Sequence, residues 1–121
     1  MKQSRSDIED FREERNGMTA AEISLAFARE VAGYPGAFWA GDYLDNGSAQ
    51  RLPDYSKDWN AVIAEIEKRE LDWVRRIDTL SSPWHFRCIS KYSHGRCSGD
   101  DCAALARAVL DCVRAMRSQD A

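Results

Sequence analysis

The chain has 121 residues, 44% of them hydrophobic and 31% charged, and a formal net charge of −3. That length suits one domain with a real core, and the composition is that of an ordinary soluble protein. The charge excludes a generally basic nucleic-acid coat and is too mild for a DNA-mimicking acidic surface. No apolar run approaches the roughly 18–20 residues needed to span a bilayer, so no membrane association is expected. The Met1-Lys-Gln-Ser-Arg-Ser-Asp start lacks the apolar stretch of a signal peptide. A cytosolic protein is expected, with Cys88, Cys97, Cys102 and Cys112 reduced.

Residues 1–17 hold four basic and five acidic side chains, with Ile8 and Phe11 as the sizeable apolar groups. A short helix docked through that pair and a frayed polar extension both fit. Asn16-Gly17 marks a break. The expected domain therefore runs over residues 18–118, with 1–17 as an extension. Thr19-Ala-Ala-Glu22 has the form of a capping box, and Ile23, Phe27 and Val31 follow at helical spacing up to Gly33. This predicts a first helix over about 19–32 with those three side chains in the core. The next stretch, Tyr34 to Ser48, is broken by turn residues but carries Phe38, Trp39, Tyr43 and Leu44. A short strand near Ala37–Ala40 or Asp42–Leu44 is expected. Its aromatics form either a binding surface or a cover over the first helix; the sequence leaves both open.

Leu52-Pro-Asp-Tyr-Ser-Lys-Asp-Trp-Asn60 reads as a helix entry. Pro53 restrains Leu52, Asp54 and Ser56 are cap candidates, and Asp58 suits the positive end of the helix dipole. Trp59, Val62, Ile63, Ile66, Trp73, Ile77 and Leu80 then recur at three-and-four spacing. This predicts a helix over about 57–79. A second reading ends it at Arg69 and makes Leu71–Leu80 a strand. Ser82-Pro83 stops the element. Trp84, Phe86, Cys88 and Ser90 alternate with His85, Arg87, Ile89 and Lys91, predicting a hairpin over about 84–98. A last helix, entered at Ser98 or Asp100, carries a stripe of Cys102, Leu105, Val109, Cys112, Val113 and Met116 beside an alanine-rich flank.

Three clusters invite a chemical reading. Cys88, His94, Cys97 and Cys102 are all zinc-ligand types, but their C-x5-H-x2-C-x4-C spacing matches no common finger. As small hydrophobes the cysteines need no metal, and no cofactor is expected. Arg87, Lys91 and Arg96 stand on the hairpin with no acid between Trp84 and Ser98, interleaved with His85 and Tyr92. Basic and aromatic groups so placed suit single-stranded nucleic acid, although edge cations also serve solubility. His94 and Cys97 lack an orienting carboxylate and an oxyanion loop, so no catalytic site is expected.

Leu52-Pro-Asp-Tyr-Ser-Lys-Asp-Trp-Asn-Ala-Val, the hairpin after it, and Asp101-Cys-Ala-Ala-Leu-Ala-Arg-Ala-Val-Leu together resemble the small phage proteins with an ABA sandwich domain. Met18-Thr-Ala-Ala-Glu22 resembles the start of their first helix. The resemblance covers about Met18–Met116; residues 1–17 are extra, and Leu71–Ser82 is long for that pattern. It implies a helix–sheet–helix arrangement and a bacteriophage or prophage origin, with no catalytic residues. The combined expectation is an α+β fold, three main helices on a small antiparallel sheet. Its function would be that of a non-enzymatic phage accessory protein in the host cytoplasm. It would bind a host protein or complex, as an inhibitor of an antiviral defence such as CRISPR–Cas does. Candidate contact residues are Phe38, Trp39, Tyr43, Arg87, Lys91 and Arg96. The alternative is a nucleic-acid- or zinc-binding regulatory module built on residues 84–102, and a homodimer is left open.

Overall fold

The computed structural model describes residues 14–77 and 84–120. Their order is β1 (Glu14–Arg15), β2 (Met18–Thr19), α1 (Ala20–Glu30), β3 (Phe38–Ala40), β4 (Tyr43–Asp45), β5 (Arg51–Leu52), α2 (Trp59–Lys68), β6 (Asp72–Arg76), β7 (His85–Ile89), β8 (His94–Ser98) and α3 (Cys102–Asp120). The class is α+β, as the sequence predicts. The strands divide into a β1–β2 ribbon and two antiparallel three-stranded sheets, β3–β4–β5 and β6–β7–β8. The expectations for residues 1–13 and for Ser82-Pro83 lie outside the described residues.

Local chemistry accounts for the first helix. Thr19 Oγ1 accepts from Glu22 N at 3.2 Å and Glu22 Oε1 accepts from Thr19 N at 2.8 Å, closing the capping box. Ile23, Phe27 and Val31 are all fully buried. Ahead of this helix, Asn16 and Gly17 both take positive φ, the requirement of a tight type I′ hairpin turn. That turn joins β1 to β2 and crosses the boundary drawn at residue 17. It is clasped to α3: Arg107 donates to Asn16 O and to Met18 Sδ, Arg15 pairs with Asp101, and Asn16 Nδ2 donates to Asp111.

The single helix predicted over 57–79 is not formed. α2 starts one residue after Asp58, which is its cap in place of Asp54 or Ser56, accepting from Ala61 N at 3.1 Å. It stops at Lys68. Glu70 adopts φ 57°, Glu70 N donates to Glu67 O, and Leu71 N donates to Ile66 O. These are the two bonds of a Schellman closure, sealed by burial of Leu71 beside Ile66. The chain leaves in an extended conformation as β6, which is the second reading of Leu71–Leu80 as far as it is described. Trp73 and Ile77 fit a helical stripe by spacing alone; Trp73 is half-buried on the strand and Ile77, just past its end, is exposed.

The 84–98 hairpin forms as β7 and β8, and β6 adds to it. Phe86, Cys88, Gly95 and Cys97 line the inner face, against α3. The contact is closest at Gly95, where a Cβ would run into Ala108 O and into Cys112 N. The alanine-rich flank of α3 makes this approach sterically available, and Cys102 through Leu110 are buried without a break. Its cap is Asp101, accepting from Ala104 N at 3.1 Å, and not Ser98 or Asp100. Each fully buried Leu, Val or Phe here contributes roughly 1.5–3 kcal/mol relative to exposure. Phe86 is bracketed by Trp59 and Trp73, each with ring centroids 5.9 Å away. Tyr55, itself buried, stacks on Phe27 at 4.7 Å.

Candidate functional site

Alternation along the strands settles what the β6–β7–β8 sheet turns outward. With Phe86, Cys88 and Cys97 committed to α3, the other face carries three cross-strand rows: Asp72–Ile89–His94, Val74–Arg87–Arg96 and Arg76–His85–Ser98. Arg87 and Arg96 are direct partners in the middle of this face. Arg76 stands one strand away, and His94 is exposed at the hairpin end of β8. Arg87 Nε is buried with no hydrogen-bond partner among the described residues. His85 faces the same way but is only 6% exposed. Asp72 is the acid on this face, exposed at the far end of β6, whereas Asp100 is engaged with Arg75 at 2.9 Å and Asp101 with Arg15.

Lys91 lies in the β7–β8 turn, its Nζ 5.3 Å from the Tyr92 ring centroid, and Tyr92 is 74% exposed. Ser90 holds the turn, donating its N–H to Ser93 O and accepting from Ser93 N. The structure therefore gathers Arg87 and Arg96 on the sheet face and sets Lys91 at its tip. It adds Arg76. Reading 57–79 as one helix hides that residue, because a helix face has no fixed relation to the hairpin. The available signal was the second reading, which ends the helix at Arg69 and makes Leu71–Leu80 a strand.

The aromatic candidates are placed differently. Trp39 is half-buried and its indole N–H donates to Ala21 O at 3.0 Å, which ties it over the start of α1. Tyr43 is half-buried beneath the Arg51 guanidinium, 5.1 Å from the ring centroid. Phe38 is 47% exposed. Of the three, only Phe38 presents a largely open face; the other two chiefly cover the protein's own body.

The four zinc-ligand candidates do not converge. Cys88 and Cys97 point inward and His94 outward, so the sheet lies between them. Cys97 directs its S–H at Ser98 O and Cys102 at Tyr55 O, and burial pushes both thiols up to about 12. Among the described residues no three His, Cys, Asp or Glu side chains gather as a metal site. A cleft of about 360 Å³ lies where the three helices begin, with Lys57, Trp59 and Asp101 on its walls. Cys102 in its lining is held protonated and is not a ready nucleophile. No helix of the described residues is long and apolar enough to cross a membrane.

No family model and no curated protein matches the chain. Among solved structures it is similar to the 2.0 Å crystal structure of a phage protein from Bacillus cereus ATCC 14579. The TM-score is 0.58 at 19% identity, covering 79% of this chain and 93% of that one. At that identity the likeness establishes a shared fold.

Proposed function

We propose that this is a phage-encoded accessory protein that acts by binding a host macromolecule through the outward cationic face of the β6–β7–β8 sheet. The fold shared with a Bacillus cereus phage protein supports the origin. The Arg87–Arg96 pair carries the choice of surface. The two guanidinium side chains stand opposite each other on antiparallel strands and so concentrate positive charge on this face. An acidic partner is complementary in charge to this face and is steered to it from a distance. The partner class we favour is an acidic host protein, and a component of an antiviral defence such as CRISPR–Cas is the finer form of the proposal.

The test is affinity capture from bacterial lysate with the wild type and with Arg87→Glu/Arg96→Glu, read by mass spectrometry. An acidic protein enriched by the wild type, lost in the double variant and retained by Phe38→Ala supports the proposal. Capture should also weaken as salt shortens the Debye length. Equal enrichment by both charge states overturns the choice of surface. For the finer proposal, expression in a CRISPR-immune host should raise plaque counts of a targeted phage; unchanged counts reject it. The exposed Tyr92 beside Lys91 favours a second reading, single-stranded nucleic acid. A salt-sensitive oligonucleotide shift abolished by Lys91→Ala and Tyr92→Ala would select it.

A further inference from the structure

The β6–β7–β8 sheet treats its two edges differently. At the β8 edge, Asn16 Nδ2 from the β1–β2 turn donates to Arg96 O at 2.8 Å. At the other edge β6 pairs with β7 on one side and with no strand among the described residues on the other. An edge strand left this way presents a row of backbone donors and acceptors that any suitable extended chain can join. Its side chains then decide which chain fits.

β6 reads Asp72-Trp-Val-Arg-Arg76. Asp72 and Arg76 are exposed at its two ends, with no ion-pair partner among the described residues. Along an extended strand they are about 13 Å apart, too far to pair with each other. Antiparallel pairing of two β6 strands about a two-fold axis through Val74 changes this. Each Asp72 then stands opposite Arg76 of the other copy, and Val74 opposite Val74, all on one face. The segment is its own electrostatic complement. We propose that β6 is a self-association edge through which two copies of this chain join into one continuous six-stranded sheet.

The contact is short. Five residues a side bury much less than the roughly 1,200–2,000 Å² of a stable complex, so the dimer is weak, reversible and salt-sensitive. The inference is independent of the partner proposed above, although dimerisation would set two cationic faces side by side.

Sedimentation equilibrium over a wide concentration range tests it. The wild-type mass should rise from 13.7 kDa toward twice that value. Asp72→Arg alone and Arg76→Asp alone each set like charges opposite one another and should remain monomeric. Their mixture should dimerise, because the all-Arg and all-Asp edges are complementary, and the doubly swapped Asp72→Arg/Arg76→Asp chain should regain self-association. Circular dichroism checks that each variant is folded. Amide shifts on dilution of the wild type, which need no variant, should centre on residues 72–76. A mass that stays at one chain throughout overturns the proposal. So does a mixture no heavier than its components, or dilution shifts that map elsewhere.

Discussion

Burial governs the chemistry of the four cysteines. All are at most 4% exposed. The hydrogen bond shared with Cys112, together with burial, holds the Cys88 thiol well above its ordinary range, and burial raises Cys97 and Cys102, while the same hydrogen bond with Cys88 draws the Cys112 thiol below its ordinary value. Attack needs an accessible thiolate, and Cys112 as well as the three raised thiols is closed off by burial, so native protein should release little colour with Ellman's reagent and all four thiols should react in denaturant. Rapid release from a native thiol would contradict the placement. Gly95 is the other residue at which one atom decides. Its missing Cβ is where Ala108 O and Cys112 N of α3 lie. Both are backbone atoms, so a side-chain rotation cannot relieve the clash. Gly95→Ala should therefore destabilise by about 3 kcal/mol, the upper part of the overpacking range, read as a lowered denaturant midpoint. The cysteines were legible as small hydrophobes from their positions on the strand and helix stripes. Gly95 was legible only as one residue of the 84–98 hairpin, because nothing local announces a helix passing over it.

Helices α1 and α3 are tied by one carboxylate. Glu30 accepts from Arg114 Nε and Nη2, both at 2.8 Å, and from Arg117 Nη1 at 3.3 Å. The Arg114 hydrogen bond holds the Glu30 carboxyl below its ordinary value of 4.5. A depressed carboxyl contributes stability above its unfolded pKa and loses it as pH falls through the folded one. Glu30→Gln should thus cost up to about 1 kcal/mol at neutral pH, as a partly exposed pair allows. The gap between variant and wild type should close as the medium is acidified below 4.5; thermal melts at a series of pH values check it. At this scale the sequence was informative about starts more than stops. Thr19–Glu22 and Asp58 are helix starts written within a few residues. The end of α2 depends on Glu70 entering a left-handed conformation that costs a non-glycine residue roughly 1–2 kcal/mol. Burial of Leu71 and Ile66 offsets this, and that burial exists only once the core has formed.

Across the whole molecule the net charge of −3 conceals a segregated surface. Arg76, Arg87 and Arg96 come from three strands onto one sheet face that holds Asp72 as its acid, while Glu30, Asp100 and Asp101 are tied to arginines elsewhere. Composition reports only the sum, so it excluded a uniformly basic protein and was silent about a basic face. The salt dependence of both proposed contacts belongs to this scale. Binding of an acidic partner and pairing of two β6 edges should each weaken as salt is added, whereas the Phe86–α3 core should not. The fold class, the α1 capping box, the 84–98 hairpin and the apolar stripe of α3 were determined by the sequence itself. Each rests on spacing of 2.0 or 3.6 residues or on a cap within one turn. Tertiary structure alone decided where α2 ends, that β6 joins the hairpin, and that Trp39 and Tyr43 fold back while Arg76 reaches the cationic face. Those outcomes depend on register and burial between segments far apart in the chain, which local spacing does not encode.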